Sequence, residues 1–417
     1  MLDASQNTMT KPNTRRAEGR KIVQPLSTIS TAQIFLCFLQ LGFTAFGGPI
    51  AHLAYFREAF VAKRHWLSEA QYSELVAMCQ FLPGPSSSQV GFALGYHAGG
   101  WRGALAAWLG FTLPSALLLT LAAVGVLATQ GLPTGILQGL LAVAVAVVAQ
   151  AIWAMAKQHS AGGGRLIVML LAAAVLCVFS SAQATVLVLV LAGLIGAISF
   201  RPTSSDTQTA ALRAPSFPIG ILLLCLALSL LFVLPLLSTL SPWLALTDSF
   251  YRAGALVFGG GHVVLPLLQA ELVTPGWLSA DTFYTGYGLA QAVPGPLFTL
   301  AAYLGASVPA LASPLLGASI MLIAVFLPGL LLVIGLLPFW AHWQRHLRVR
   351  AAVIGLNAAV VGLLLATWLV SIVPHAWTDW RGVALTIAAS TALQWAKWPA
   401  WLVVVLSTAA GFALAMV

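Results

Sequence analysis

The chain has 417 residues, 60% of them hydrophobic and only 7% charged, with a mean hydropathy of +0.94. Soluble domains are roughly one-quarter charged, so no soluble fold of this length hides that much apolar surface, and the surrounding solvent is lipid. The net charge of +9 does not point to nucleic acid, because the basic residues are scattered through short connections between apolar runs and form no patch.

The first thirty residues, with Lys11, Arg15, Arg16, Arg20 and Lys21 among Ser, Thr, Asn and Pro, read as a disordered cytoplasmic tail (1–30). Apolar segments follow at 31–49, 70–98, 103–127, 133–156, 165–180 and 183–199, at lengths that suit membrane spans. A polar Ser/Thr/Arg stretch at 200–216 and a lone segment at 218–238 make up a connecting region, 200–249. Six further segments, at 250–270, 281–310, 315–338, 351–373, 382–396 and 398–416, repeat the first spacing. Cys37, Cys79, Cys177 and Cys225 each lie inside an apolar run without metal-ligand or CxxC spacing, so they read as core packing residues.

The repeat is visible in residues. Phe46-Gly47-Gly48 returns as Phe258-Gly259-Gly260, and Trp66-Leu67-Ser68 as Trp277-Leu278-Ser279. Gln80-Phe81-Leu82-Pro83-Gly84-Pro85 returns as Gln291-Ala292-Val293-Pro294-Gly295-Pro296, and Phe111-Thr112-Leu113-Pro114 resembles Phe326-Leu327-Pro328. Ordered blocks at nearly constant offset define two related units, 31–199 and 250–417. With each proline-broken segment crossing once, Arg102, Lys157, Arg165, Arg201, Arg213, the Arg345-Arg348-Arg350 cluster and Lys397 fall inside. Arg57, Lys63, Arg64, Arg252 and Arg381 are then exceptions to the positive-inside rule. The expected fold is an all-α integral membrane protein of about thirteen transmembrane segments in two inverted repeats with proline-broken helices, N-terminus inside and C-terminus outside. If Pro-Gly-Pro instead marks a re-entrant hairpin, the count falls and the parity changes.

A continuous helix does not pass through Pro83-Gly84-Pro85 or Pro294-Gly295-Pro296 undisturbed. Irregular backbone at membrane depth survives only where protein or a wet cavity satisfies it, and matched breaks in two halves point to a transporter midplane site. Half-helix N-termini suit an anion. After the first break they are joined by Ser86, Ser87, Ser88 and Gln89, and after the second by the less polar Leu297, Phe298 and Thr299. Gly47, Gly48, Gly259 and Gly260 interrupt the first helix of each half and line the same cavity or serve as hinges. Gln80 and Gln291 flank the breaks.

Arg57, assisted by Lys63 or Arg64, is the candidate clamp for a divalent oxyanion. Glu74, in the segment leading to Pro-Gly-Pro, is the candidate for proton coupling. Trp66, Trp277, Trp340, Trp343, Trp377, Trp380 and Trp398 read as interfacial anchors. No Walker lysine motif, Gly-x-Ser-x-Gly or His-Glu-x-x-His occurs, so the chain reads as neither an enzyme nor an ATP-driven pump, and it needs no cofactor or metal.

Assembled with their second-half echoes, Phe46-Gly47-Gly48-Pro49, Trp66-Leu67-Ser68-Glu69 and Gln80-Phe81-Leu82-Pro83-Gly84-Pro85 resemble the chromate ion transporter family in its long, two-domain form, over about residues 30–416. The resemblance implies a multi-pass protein of the bacterial inner membrane that exports chromate and confers chromate resistance. Its partners would be chromate, sulfate as the competing analogue, and membrane lipid. Transport or exchange of sulfate or another oxyanion is the alternative, since both anions are tetrahedral dianions, and homo-oligomerisation stays open.

Overall fold

The computed structural model describes residues 29–129, 132–160, 162–179, 181–201, 212–258, 260–343 and 346–416, and the described part contains helices and no strand. The polar tail, most of the polar connection, Gly259 and Arg345 lie outside the described residues. Five helices are long and apolar enough to cross a membrane, and the chain is a multi-pass membrane protein.

The first half runs α1 (Thr31–Thr44), α2 (Gly48–Phe56), α3 (Glu69–Phe81), α4 (Ser86–Ala128), α5 (Thr134–His159), α6 (Gly163–Val178) and α7 (Ala182–Ser199). α8 (Phe217–Leu237) connects to the second half, whose α9 (Pro242–Leu256), α10 (Val264–Leu272), α11 (Ala280–Ala292), α12 (Leu300–Ser307) and α13 (Pro314–Leu336) follow. After the short α14 (Trp340–Trp343) come α15 (Leu347–Thr367), α16 (Val373–Ala376), α17 (Trp380–Gln394) and α18 (Ala400–Ala415). α9 starts inside the stretch expected to be linker, because Ser241 caps it, Pro242 opens it, and Asp248 and Arg252 lower its hydropathy.

The proline-broken segments are interrupted, and the chain doubles back beside them. α4 is broken at Gly99–Gly100, where the backbone angles leave the helical region, so it has a first arm (86–98) and a second arm (101–128). Gly95 and Gly103 face each other across that turn so closely that neither has room for a side chain, and Gly305 and Gly317 do the same between α12 and α13. Phe38 of α1 touches both Phe56 of α2 and Phe60 in the π-turn Arg57–Lys63 that continues α2. Tyr303 of α12 lies against Gly286 of α11, so α11 and α12 form a hairpin tipped by Pro294-Gly295-Pro296. α3 returns along α2, where Tyr72 Oη donates to Leu53 O at 2.6 Å. Neither half-helix spans alone: a helix of 13 residues such as α3 rises ~20 Å, short of the ~30 Å hydrocarbon core.

Each half lends its tail to the other. Gly135 and Gly139 of α5 pack on α18, while α15 packs Gly355 against Ala192 and Gly196 of α7 and Gly362 against α6. Small residues at these crossings let backbones approach, which is the usual basis of helix association in lipid. α8 faces lipid, with only 17% of its apolar window buried, and Cys225 on it is exposed instead of packed in a core. Trp66 and Trp340 are buried against Phe60 and Phe81 and anchor the core, not the interface. Trp343, Trp377, Trp380 and Trp398 are exposed.

Candidate functional site

The two Pro-Gly-Pro tips interlock the halves reciprocally. Gly84 N–H donates to Val257 O at the end of α9 (2.7 Å), and Gly295 N–H donates to Ala45 O at the end of α1 (3.0 Å). Both glycines have positive φ, 122° and 103°, which disfavours any residue with a side chain. Each tip also rests on the proline-bearing helix of the opposite half: Gly84 against Gly329 beside Pro328, Gly295 against Ser115 beside Pro114. Gln89, fully buried, ties the first tip down, because its Nε2 donates to Pro83 O (2.8 Å) and Gly329 O (3.1 Å).

These tips surround a cavity of about 440 Å³, within the ~300–1,000 Å³ of typical small-molecule sites. Gly47 and Gly48 open α2, and Gly84 and Ser86 open the first arm of α4. Gly260 and Gly261 open the turn into α10, and Gly295 and Leu297 the turn into α12. All eight residues line the cavity. Four helix starts therefore converge on one space, each with N–H groups that have no acceptor within their own helix. Helix ends meet there too, but Ala45 O and Val257 O are already engaged by the opposite tips, which leaves the donors dominant.

Gln80 and Gln291 both line the cavity, and Gln291 Nε2 is buried with no partner among the described residues. An amide donor left open at a cavity wall fits an acceptor-only guest. Ser87 is turned away: His52 Nε2 donates to Ala45 O (3.2 Å), so its Nδ1 is the acceptor for the Ser87 hydroxyl (3.3 Å). Ser86 is the serine that reaches the cavity. Pro83, Pro85, Pro294 and Pro296 shape the tips without forming the lining, and Gly259 is not among the described residues.

Arg57 is not in the cavity. It is 59% exposed and its Nε donates to Glu69 Oε1 at 2.6 Å, while Lys63 pairs with Glu58 at 3.3 Å. No Lys or Arg is among the described lining residues, which include the imidazoles of His159 and His262, so backbone and amide dipoles and not a Lys or Arg clamp face an anion there. Glu74 is buried on α3 and does not line the cavity.

The sequence reading missed the wall supplied by α5: Val147, Gln150, Ala151, Ala154, Met155, Gln158 and His159. The signal was present, because Gln150 is a polar residue deep in an apolar span and these positions recur at helical spacing. Trp398, Pro399 and Ala400, between α17 and α18, complete this side. The corresponding wall on the other side, formed by α15, α10, Leu176 of α6 and Thr185 of α7, encloses only about 70 Å³.

Comparison with known proteins agrees with this duplicated plan, since the family model described as Chromate transporter matches residues 32–197 and again 244–412. The chain belongs to the chromate transporter family. It is 29% identical over 338 residues to a probable chromate transport protein of Synechococcus elongatus, covering 80% of this chain and 83% of that one. It is 28% identical to a chromate transport protein of Pseudomonas aeruginosa over 342 residues, 81% of this chain and 80% of the relative. An uncharacterised transporter of Methanocaldococcus jannaschii is 28% identical over 390 residues, 92% and 94% of the two chains. No solved structure matches the chain. Family membership makes this protein a transporter.

Proposed function

We propose that this transporter exports chromate across the plasma membrane, the inner membrane of a bacterium, by alternating access between two inverted halves. The observation that carries the reading is the convergence of four helix starts and open amide donors on a cavity with no Lys or Arg among its described lining residues, opposite a nearly closed counterpart. Chromate is a tetrahedral dianion with acceptor oxygens on every face, and preorganised N–H groups at helix starts replace its water shell.

Features of the fold support an orientation. α1 runs alongside the second arm of α4, with Ile34 near Gly103 and Gly42 near Phe111. Arg213 N–H donates to His97 Nδ1 at 3.0 Å beside the turn of α4, so the start of α8 shares that face. α13 ends there as well, since Phe339 stacks near Phe217 at 4.2 Å. The second arm of α4 and α13 thus run in opposite directions, which supports inverted repeats. On this reading the second arm of α4, α5, α6, α7, α8, α13, α15 with α16, α17 and α18 cross the membrane. The pairs α1–α2, α3 with the first arm of α4, α9–α10 and α11–α12 re-enter. Arg57, Lys63, Arg64, Arg102, Lys157, Arg165, Arg201, Arg213, Arg348, Arg350 and Lys397 then share the inside face, and only Arg252 and Arg381 lie toward the outside. The re-entrant arrangement removes three of the exceptions that a single crossing leaves. The large cavity, bounded by the end of α5 and the start of α18, faces the cytoplasm, ready to load an exported anion.

The test is chromate uptake into everted membrane vesicles, with and without excess sulfate and with the proton gradient collapsed. Energy-dependent, sulfate-sensitive accumulation above empty vesicles is the expected result. No difference from empty vesicles, with the protein correctly inserted, contradicts the chromate assignment.

A further inference from the structure

α9 of the second half carries a buried charge cluster that has no counterpart on α1 of the first. α9 presents Asp248, Ser249 and Arg252, and the return of α10 brings Glu271 against them. Arg252 Nη2 lies 3.0 Å from Asp248 Oδ2 and 2.8 Å from Glu271 Oε2, and Ser249 Oγ donates to the same Glu271 oxygen at 3.2 Å. Two carboxylates thus share one guanidinium nitrogen, leaving the cluster one negative charge in excess. In the first half Leu36 and Gln40 occupy the positions matching Asp248 and Arg252.

The two carboxylates are not equivalent. Glu271 has the shorter bond and the serine hydroxyl, whereas Asp248 is 5% exposed and its Oδ1 is buried with no hydrogen-bond partner among the described residues. An ionised oxygen in that position is strongly disfavoured, and a proton on it removes the surplus charge. The elements packed against this hairpin, α8, α13, α15, α7 and the flanking turns, offer few other titratable groups. Among the described residues these are Cys225, His262, Arg348, Arg350 and, on α9 itself, Tyr251, whose hydroxyl donates to Ala227 O at 2.8 Å. None of them is ion-paired with Asp248 or Glu271 in the described part of the chain. Arg252, 33% exposed, is the part of the cluster that meets the surroundings.

Resting on the transporter reading above, we infer that Asp248 carries the proton exchanged for the exported oxyanion. Hydronium on the outer side gives a proton to the Asp248 carboxylate, an O–H bond forms on the oxygen and water is left. The proton is held while the α9–α10 hairpin keeps Asp248 from water, as it does here, and passes to water on the cytoplasmic side when α9 and α10 part. Glu271 and Ser249 are positioning groups that hold Arg252 and keep Asp248 the unmatched charge.

The test uses the purified full chain in liposomes, as wild type, Asp248→Asn and Asp248→Glu, with labelled chromate and, in parallel, labelled sulfate. One assay reads net accumulation driven by a pH gradient, with an entrapped dye reporting proton flux. The other reads exchange of labelled for unlabelled anion at equal pH on both sides. Asp248→Asn is expected to keep exchange while net accumulation and proton flux fall to those of protein-free liposomes, and Asp248→Glu restores both. Unchanged gradient-driven transport in Asp248→Asn overturns the assignment. So does equal loss of exchange and net transport in a monodisperse variant, which marks a structural role. A wild type that exchanges neither anion overturns the oxyanion reading itself, and a wild type that exchanges without proton flux overturns only the coupling site.

Discussion

The two Pro-Gly-Pro tips share one backbone design and differ in chemistry. Both turn through a glycine at positive φ, both donate that glycine's N–H to the opposite half, and both rest on a proline-bearing helix. After the first tip come Ser86, Ser87, Ser88 and Gln89; after the second come Leu297, Phe298, Thr299 and Leu300. The cavity sizes differ in the same sense, about 440 Å³ on the side walled by α5 and about 70 Å³ on the side walled by α15. The break is therefore a structural requirement of both halves, whereas the residues that follow it are polar in the first half and mostly apolar in the second.

The largest effect is expected where the shared design is broken. Gly84→Ala brings a β-carbon to 3.0 Å from Gly329 Cα and 2.8 Å from Gln89 Nε2 at a backbone angle that disfavours it. Strain of this kind costs about 1–3 kcal/mol before the clash is counted. Transport should be abolished and the melting temperature in detergent lowered. Gly295→Ala meets the movable Ser115 Oγ at 2.8 Å, so a smaller loss of stability is expected. Equal losses would mean that the neighbours do not decide the outcome.

Next is Gln89→Leu, which gives the first half a residue like its counterpart Leu300. The bridge to Pro83 O and Gly329 O disappears and a part-buried and a buried acceptor lose their donor, at about 1–3 kcal/mol. Thermal unfolding is the measurement, and an unchanged midpoint would remove Gln89 from the interlock. Ser86→Ala should raise the KM for the oxyanion about fivefold, the equivalent of one ordinary hydrogen bond. Leu297→Ala, on the apolar tip, should leave KM unchanged. A larger KM effect from Leu297 than from Ser86 would reverse the assignment of polar contact to the first half. Smallest is Arg57→Ala: its exposed pair with Glu69 lies away from the cavity, so transport should stay within about twofold of wild type.

The duplication, the breaks and their glycines were legible in the sequence because Pro-Gly-Pro has few backbone solutions inside an apolar run. Whether the chain crossed or turned back at 83–85 was not legible. That depends on Gly95 meeting Gly103 and on Phe38 meeting Phe56 and Phe60, contacts that hydropathy does not carry. The place of Arg57 was not legible for a related reason: charge near a glycine motif suggested a clamp, whereas the π-turn that carries it points it to Glu69. Gln150 went unread because one amide in an apolar span looks like packing until α5 is seen to wall the cavity.

The central claim is that the large cavity is an oxyanion site open to the cytoplasm, and thiol labelling tests it most directly. In a chain whose four native cysteines are replaced by alanine, Gln158→Cys lines the large cavity and Thr367→Cys the small one. A membrane-impermeant maleimide should label Gln158→Cys rapidly in everted vesicles, more slowly when chromate or sulfate is added, and hardly at all in right-side-out vesicles. Thr367→Cys should resist labelling from both sides without substrate. Rapid labelling of Gln158→Cys from the outer face, or labelling that neither anion slows, would contradict the account.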